Sequence, residues 1–418
     1  MKVFKFGGAS VKNSSAIRNM CEIIRSYQNE KLVVIVSAMG KSTNTLEGLI
    51  NLSMKGLDYQ FELSEFIKYH NDIFKDLLND AHKKWIHNID NYFDELRSLL
   101  EDKRNGSNYS QYYDKVVSYG ELLSTTIISS YLNITGCSNK FLDARKLIKT
   151  DSTFQDGKVD WEETKSIIKS TIELDKDRLF ITQGFIGSNS KGETTTLGRE
   201  GSDYTAAIFA SCLDAESVTI WKDVPGILNA DPKIIKDAVL FSELPYNEAS
   251  EMTYYGAKVI HPKTIKPLAN KSIPLHVRCF DTPDKEGTII HNCELEQILP
   301  VIIYKENQCL LSFKSKDLAF VNEKGLSIIF EALHNLDIVI NIMQNSAISF
   351  SVCIDFNEQK INKLIEVLHD QFSILYNTCL QLVTIKNYNK ETLDKYKPEG
   401  QFLLEQVSRS NFRVLIHQ

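Results

Sequence analysis

No stretch of this 418-residue chain is apolar for long enough to cross a bilayer. Its opening, MKVFKFGGAS, lacks the apolar core of a secretory signal. The eight cysteines, at 21, 137, 212, 279, 293, 309, 353 and 379, contain no C-x-x-C pair, and the nine histidines form no H-E-x-x-H. Reduced, largely buried thiols in a cytoplasmic setting are therefore expected, rather than disulfides or a zinc module. Basic residues are in short supply: 48 Lys and Arg against 54 Asp and Glu leave a net charge of -6. Such a balance disfavours nucleic acid, which asks for a basic face. There is no Rossmann G-x-G-x-x-G and no protein-kinase signature. The G-K-S at 40–42 is no P-loop, because Ile35 stands where that loop needs its first glycine.

What remains is an ordinary globular composition, 43% apolar and 24% charged, in a chain long enough for two to four units. Strand and helix signals alternate. Lys2–Phe6 reads as a strand, followed by a Gly-Gly turn and a helix from about Asn13, with Ile17, Met20, Cys21 and Ile24 on one face. Leu32–Ala38 is a continuous valine- and isoleucine-rich run of the kind that fills a buried parallel strand. A polar turn, MGKSTN, then leads to a helix predicted near Thr45, with Thr43 or Asn44 as cap. Residues from Asp58 to about Lys103 read as a helical insertion, and Tyr109–Leu132 as a longer helix carrying SYGELLSTTII. KFLDA, RLFIT, AESVTIW and IPLHVRCF supply further strands, with a helix over Trp161–Ile172 between the first two. The alternation predicts an α/β unit with a largely parallel sheet sandwiched by helices. Its polar loops, after Phe6, Val36, Asp143, Thr182 and Ile220, would lie at one sheet edge, where such folds bind ligands.

The pattern changes after about Gly287. LLSFKS, a helix over Lys324–Leu336, DIVINIM, AISFSVCID, a helix over Asn357–His369 and LQLVTIK follow a βαββαβ-like order. A hairpin about Arg409–Asn411 closes the chain, and Lys390–Lys397 is its last helical stretch.

The segment Thr194–Ala207, TTTLGREGSDYTAA, concentrates an arginine, two carboxylates, hydroxyls and glycines just ahead of an alanine-rich helix. It reads either as an anion-holding junction or as a plain helix start capped by Ser202 or Asp203. FKFGGAS sets Lys5 ahead of Gly7 and Gly8, suited to a phosphate chain or to a snorkelling edge lysine. Glu121 sits alone in a mostly apolar helix, while Lys222, Asp223 and Lys258 lie at a strand end and past a helix-ending glycine. Cations and backbone donors at strand ends are what phosphoryl transfer requires.

In order, KFGGASV, SAMGKSTN, SYGELLST, FLDARKLI, TQGFIGSNSKGETTTLGREGSDYTAA, IWKDVPGILNADPK and NEASEMTYYGAKVIHP resemble the aspartate kinases of the amino acid kinase family, over roughly residues 2–290. The resemblance implies Mg2+-ATP-dependent phosphorylation of L-aspartate. It casts Lys5 and Asp203 as catalytic. Lys5, Gly7, Gly8, Ser10, Lys222, Asp223, Leu228, Lys233 and Lys258 would bind ATP. Arg199 would take the aspartate α-carboxylate, Glu121 its ammonium, and Ser37, Thr43, Phe185 and Ser202 the rest of the pocket. No side chain is assigned to a metal. Ala9, Glu200, Lys222, Leu228 and Lys233 depart from the family pattern, in which a threonine, a glycine, a threonine, a tyrosine and an arginine are usual.

The resemblance also implies a catalytic domain over 1–296, with its insertion at about 58–104, and a regulatory region over 297–418. That region would hold two ACT-like α+β units, the second short and interleaved by borrowing a strand from Leu299–Tyr304. Asn341, Gln344, Asn345 and Ser346 are candidate effector contacts. The chain lacks the aspartate near Asn341 and the glutamate near Ala347 expected of lysine-regulated relatives, and QNS at 344–346 is closer to threonine-responsive ones. A homodimer through the ACT units is expected, with no membrane partner and no fused dehydrogenase. Two other readings stay open: a kinase of the same fold for another small molecule, and a weakly catalytic effector-binding protein.

Overall fold

The computed structural model describes residues 1–79, 82–102, 108–172, 177–257, 260–295, 299–316 and 322–417. Before residue 296 the strands are β1 (Lys2–Phe6), β2 (Leu32–Val36), β3 (Lys140–Leu142), β4 (Lys149–Thr150), β5 (Leu179–Gln183), β6 (Ile186–Asn189), β7 (Thr194–Thr196), β8 (Ser217–Lys222), β9 (Glu243–Pro245), β10 (Leu275–Cys279) and β11 (Thr288–His291). The helices are α1 (Ser14–Ser26), α2 (Ser42–Met54), α3 (Gln60–Leu78), α4 (His82–Glu101), α5 (Tyr109–Ile134), α6 (Ala144–Leu147), α7 (Trp161–Thr171), α8 (Gly201–Leu213), α9 (Tyr246–Tyr254) and α10 (Pro262–Ala269).

Eight strands form one sheet in the order β3-β5-β2-β1-β8-β10-β11-β9. Its pairings are parallel, as the apolar runs predicted, except for β10 with β11. β2 is buried at every position, so both faces of the sheet are covered. Phe6 lies beside Val36 and Trp221, and Val36 beside Gln183. The carboxyl ends of four neighbouring strands are thus level, and the loops that leave them share one edge. Phe4 and Phe6 pack against Trp221 on one face of β1, which puts Lys5 on the other.

Two helix starts differ from their sequence-based expectation. α2 begins at Ser42, and neither Thr43 nor Asn44 caps it. Ser42 is instead buried, its Oγ 3.2 Å from Nε2 of His70 on α3. α8 begins at Gly201, and the residue in the cap position is Glu200, in the left-handed region at φ 53°. Ser202 and Asp203 therefore occupy the first helical turn and cap nothing.

The chain divides into two compact units. The first comprises Met1–Ile227, Leu240–Ser250 and Val259–Leu295, and the second Leu228–Val239, Glu251–Lys258 and Glu296–Gln418. A single cut near residue 296 therefore does not describe the division, since two earlier segments belong with the tail.

The second unit holds β12 (Val301–Ser315), α11 (Glu323–Asn335), β13 (Ile340–Asn345), β14 (Phe350–Asp355), α12 (Glu358–Leu368), β15 (Phe372–Lys386), α13 (Lys390–Tyr396), β16 (Leu404–Val407) and β17 (Asn411–His417). They build an antiparallel sheet ordered β13-β14-β12-β15-β17-β16. The later half of β12 pairs with β14 and the early half of β15, completing a βαββαβ module over a core that includes Phe313, Leu333, Phe350 and Leu364. The early half of β12, Val301–Lys305, pairs with Leu382–Lys386 of β15, and β17 pairs with that same half of β15. Ala230 and Ile235 are buried with Ile302, Val383 and Phe412 beneath this second module.

Candidate active site

At the level carboxyl edge of the parallel sheet lies a cavity of about 510 Å³. Its lining includes Lys5, Gly8, Ser37, Thr43, Glu121, Phe185, Arg199, Ser202, Asp203 and Lys222. Residues spread over more than 200 positions of sequence are thus brought to one place by the carboxyl ends of β1, β2, β5, β7 and β8 and by the three helices α2, α5 and α8.

The centre of charge is Asp203, in the first turn of α8 and 3% exposed. Nζ of Lys5 lies 2.6 Å from its Oδ1, and Nζ of Lys222 lies 3.7 Å from its Oδ2. Burial alone would raise the Asp203 pKa, but the two lysines outweigh it and hold the carboxyl below its ordinary value. The group is therefore an anion that keeps two cations fixed. Lys5 itself is 9% exposed, so its charge does not snorkel to solvent.

Glu121 is the opposite case. A Cβ on Gly120 would stand 2.9 Å from the Cβ of Ala38, so the glycine lets α5 approach the β2 loop closely. There the backbone N–H of Ala38 donates to Oε1 of Glu121 at 3.1 Å, while Oε2 is buried without a hydrogen-bond partner. Burial pushes the Glu121 carboxyl up to about 8, against smaller opposing contributions from backbone hydrogen bonds and Lys5. A buried carboxylate oxygen with nothing to bind is costly by about 1–3 kcal/mol, and an incoming cation would remove that cost.

Two supports fix the walls. Asp114, buried on α5, accepts from the backbone N–H of Gln155 at 3.0 Å, from that of Thr196 at 2.8 Å and from the Thr196 hydroxyl at 2.7 Å. Gln155 and Thr196 both line the cavity. On the other side, His70 is buried, and its Nδ1 lies 2.8 Å from the carbonyl oxygen of Phe66. That carbonyl can only accept, so Nε2 accepts from Ser42. Burial pushes the His70 imidazole down to about 4, keeping it neutral.

The Arg199 turn has its own anchor. Glu200 accepts from the backbone N–H of His261 at 2.8 Å through Oε2, and Nδ1 of His261 accepts from the N–H of Lys263 at the start of α10. A left-handed φ costs a non-glycine residue about 1–2 kcal/mol, which is why a glycine is the easier choice there. The hydrogen bond to His261 offsets that cost and gives the Glu200 carboxylate a partner other than Arg199.

The amino acid kinase family model matches residues 1–279. The chain belongs to that family. Within it, the relatives are aspartokinases. The Arabidopsis thaliana protein named bifunctional aspartokinase/homoserine dehydrogenase 2, chloroplastic, is 32% identical over 382 residues, 89% of this chain but 42% of that protein. Lysine-sensitive aspartokinase 3 of Escherichia coli is 32% identical over 365 residues, 84% of this chain and 78% of that protein. The chain thus spans less than half the length of the bifunctional relative and most of the monofunctional one. The crystal structure of E. coli aspartokinase III in complex with aspartate and ADP, in its R state, matches with TM-score 0.84 at 27% identity, covering 100% of this chain and 96% of that one.

Membership of the family does not put every expected residue in the cavity. Gly7 and Ser10 stand beside it: Gly7 precedes the short 3-10 turn Gly8–Val11, and Ser10 is buried with its hydroxyl donating to the Trp221 carbonyl at 3.4 Å. Asp223 is exposed and absent from the lining. Leu228 and Lys233 fall in the second unit, and Lys258 lies outside the described residues. Asn341 is spent within the second unit, accepting from Nζ of Lys305 at 2.8 Å and donating to Gln308 and Asp355. Gln344, Asn345 and Ser346 are exposed. Conversely, Tyr113, Gln155, Thr196 and Gly198 line the cavity without having been singled out. Thr196 and Gly198 lie inside the Thr194–Ala207 segment. Tyr113 is two turns before Glu121 on α5, a spacing that a helical repeat makes visible.

Proposed function

We propose that the chain transfers the γ-phosphoryl group of ATP to the side-chain carboxylate of L-aspartate, giving 4-phospho-L-aspartate and ADP. The observation that carries this reading is the charge pattern of one cavity, where two lysines flank a buried carboxylate and an arginine and a buried glutamate with an unpartnered oxygen complete the lining. The aspartokinase names of the relatives, and the aspartate and ADP in the E. coli structure, support the choice of substrates.

In this mechanism Arg199 binds the α-carboxylate and Glu121 the ammonium of aspartate, with Ser37, Thr43, Phe185 and Ser202 shaping the pocket. Those two charges read an α-amino acid and leave its side-chain carboxylate to act as nucleophile. That carboxylate is ionised at neutral pH, so attack on the γ-phosphorus needs no base, and the bond to the ADP oxygen breaks as the new one forms. Lys5 meets the negative charge of the transferring group. Asp203 holds the side chains of Lys5 and Lys222 in place. Gly7 and Gly8 offer backbone donors, and Ser10 and Asp223 extend the nucleotide site on the strength of the resemblance. Both oxygens of Asp203 already have lysine partners, so Mg2+ fits best on the phosphate oxygens, where it would screen their charge.

The tail fits amino-acid regulation, with lysine and threonine as the two candidate effectors and a homodimer joined through the ACT-like units. Eight free thiols suit a reducing, cytoplasmic setting. The deciding experiment measures ADP release from Mg2+-ATP with aspartate, glutamate or N-acetylglutamate as acceptor, then repeats the aspartate arm with lysine or threonine added. Turnover with aspartate alone is expected; its absence would overturn the reading.

A further inference from the structure

Apart from the cavity, the edge of the parallel sheet gathers three metal-ligating side chains. β9 is the outermost strand and pairs in parallel with β11, placing Glu243 beside Ile289 and Pro245 beside His291. Side chains alternate along a strand, so His291 shares the face of Ile289 and Glu243. Cys293, two residues further on, continues the same side. The Glu243 carboxylate oxygen, the His291 ring nitrogen and the Cys293 sulfur all lie within 4.8 Å of one another. Nε2 of His291 is 2.9 Å from Oε2 of Glu243. None of the three lines the kinase cavity.

A histidine–glutamate pair at a sheet edge needs no further purpose. The thiol changes the chemistry. Carboxylate, imidazole and thiolate together form a donor set for borderline-soft divalent ions and a poor one for Mg2+. Zinc bonds of about 2.0–2.3 Å set neighbouring donors roughly 3.5 Å apart. Closing from 4.8 Å to that spacing takes side-chain rotation, with Cys293 and His291 half-buried and Glu243 exposed. Three protein ligands leave one tetrahedral position for water, so the site would exchange its ion rather than lock it.

We propose that Glu243, His291 and Cys293 form a reversible Zn2+ site that ties the three-residue edge strand β9 to β11. On binding, the Cys293 thiol releases its proton to solvent as the sulfur–metal bond forms. The ion takes no part in phosphoryl transfer.

The test titrates the whole, nucleotide-free protein with Co2+ as the spectroscopic probe. One ion per chain is expected, with a sulfur-to-cobalt charge-transfer band and the visible bands of a four-coordinate ion, both displaced by Zn2+. Cys293→Ser should remove the sulfur band, and Glu243→Gln should weaken the titration while keeping it. Zn2+ should raise the Tm of the parent and not of the serine variant. Aspartate-dependent turnover with Mg2+-ATP, unchanged in both variants, shows that they fold. A sulfur band that survives in Cys293→Ser would assign it to another of the eight cysteines and overturn the proposal. So would a parent protein that shows no such band.

Discussion

Each unit of the molecule buries a polar cluster, and the two clusters are built to opposite rules. In the second unit, Gln308 is 1% and Asn341 8% exposed. Gln308 donates to Asp355 at 2.9 Å and accepts from Asn341 at 2.7 Å and from the Cys353 thiol at 3.4 Å, while Lys305 closes the network on Asn341 and on Asp355 at 2.8 Å each. Every amide end is matched within the chain. In the kinase unit, Asp203 is matched by two lysines, but Oε2 of Glu121 is left open in a cavity. A network that satisfies itself stabilises; one that stops a partner short is waiting for a ligand.

That contrast breaks most visibly at Lys5. Lys5→Ala is expected to lower kcat about 10³-fold or more, the loss typical of one transition-state charge contact, with circular dichroism unchanged. If ADP release fell less than tenfold, Lys5 would not be the phosphate contact. Asp114→Asn should come next. The amide presents hydrogens to N–H groups that now donate to a carboxylate, so a loss of about 2–3 kcal/mol is expected in denaturant unfolding, with kcat/KM falling as the Gln155 and Thr196 walls loosen. Arg199→Ala should chiefly raise the KM for aspartate, by about 10–100-fold from one charge-assisted bond, and leave stability nearly untouched.

Glu121 gives the comparison a pH axis. Its folded pKa, about 8, lies above its ordinary 4.5, so the folded chain holds the proton more tightly than the unfolded one. The stability it contributes is present below pH 4.5 and is lost as pH rises towards 8. Ammonium binding needs the ionised form, so the KM for aspartate should fall by up to about tenfold per pH unit between pH 6 and 8. Glu121→Gln should flatten that slope and bind aspartate weakly at every pH. A slope that persists in the variant would assign it to another group. The smallest effect belongs to the other unit. Lys305→Met should leave basal turnover unchanged and cost about 1–2 kcal/mol in thermal unfolding, because the buried Asn341 oxygen loses its donor.

Much of this was legible from residue order. Lys5, Arg199 and Asp203 stood out because charge in or beside apolar strands and helix starts demands a reason, and the parallel sheet followed from uninterrupted valine and isoleucine. What stayed hidden depended on distance in sequence. Asp114 reads as an ordinary helical aspartate until Gln155 and Thr196 fold onto it, although it lies seven residues before Glu121 and so on the same helix face. Gln155 belongs to a loop with no pattern at all. The cap assigned to Ser202 or Asp203 failed because composition cannot show that Glu200 takes a left-handed turn. Nor could the loop at 228–239 reveal that its Ala230 and Ile235 are buried with the tail.

The two long strands of the second unit have a consequence for how it comes apart. β12 and β15 each run through both modules, so neither module owns a complete sheet. Opening one frees the strand ends that hold the other, and the pair should unfold as a single cooperative body. Amide hydrogens of Leu311 and Val383, one in each module's core, should then exchange with the same free energy of opening. An effector seated on one module would protect both.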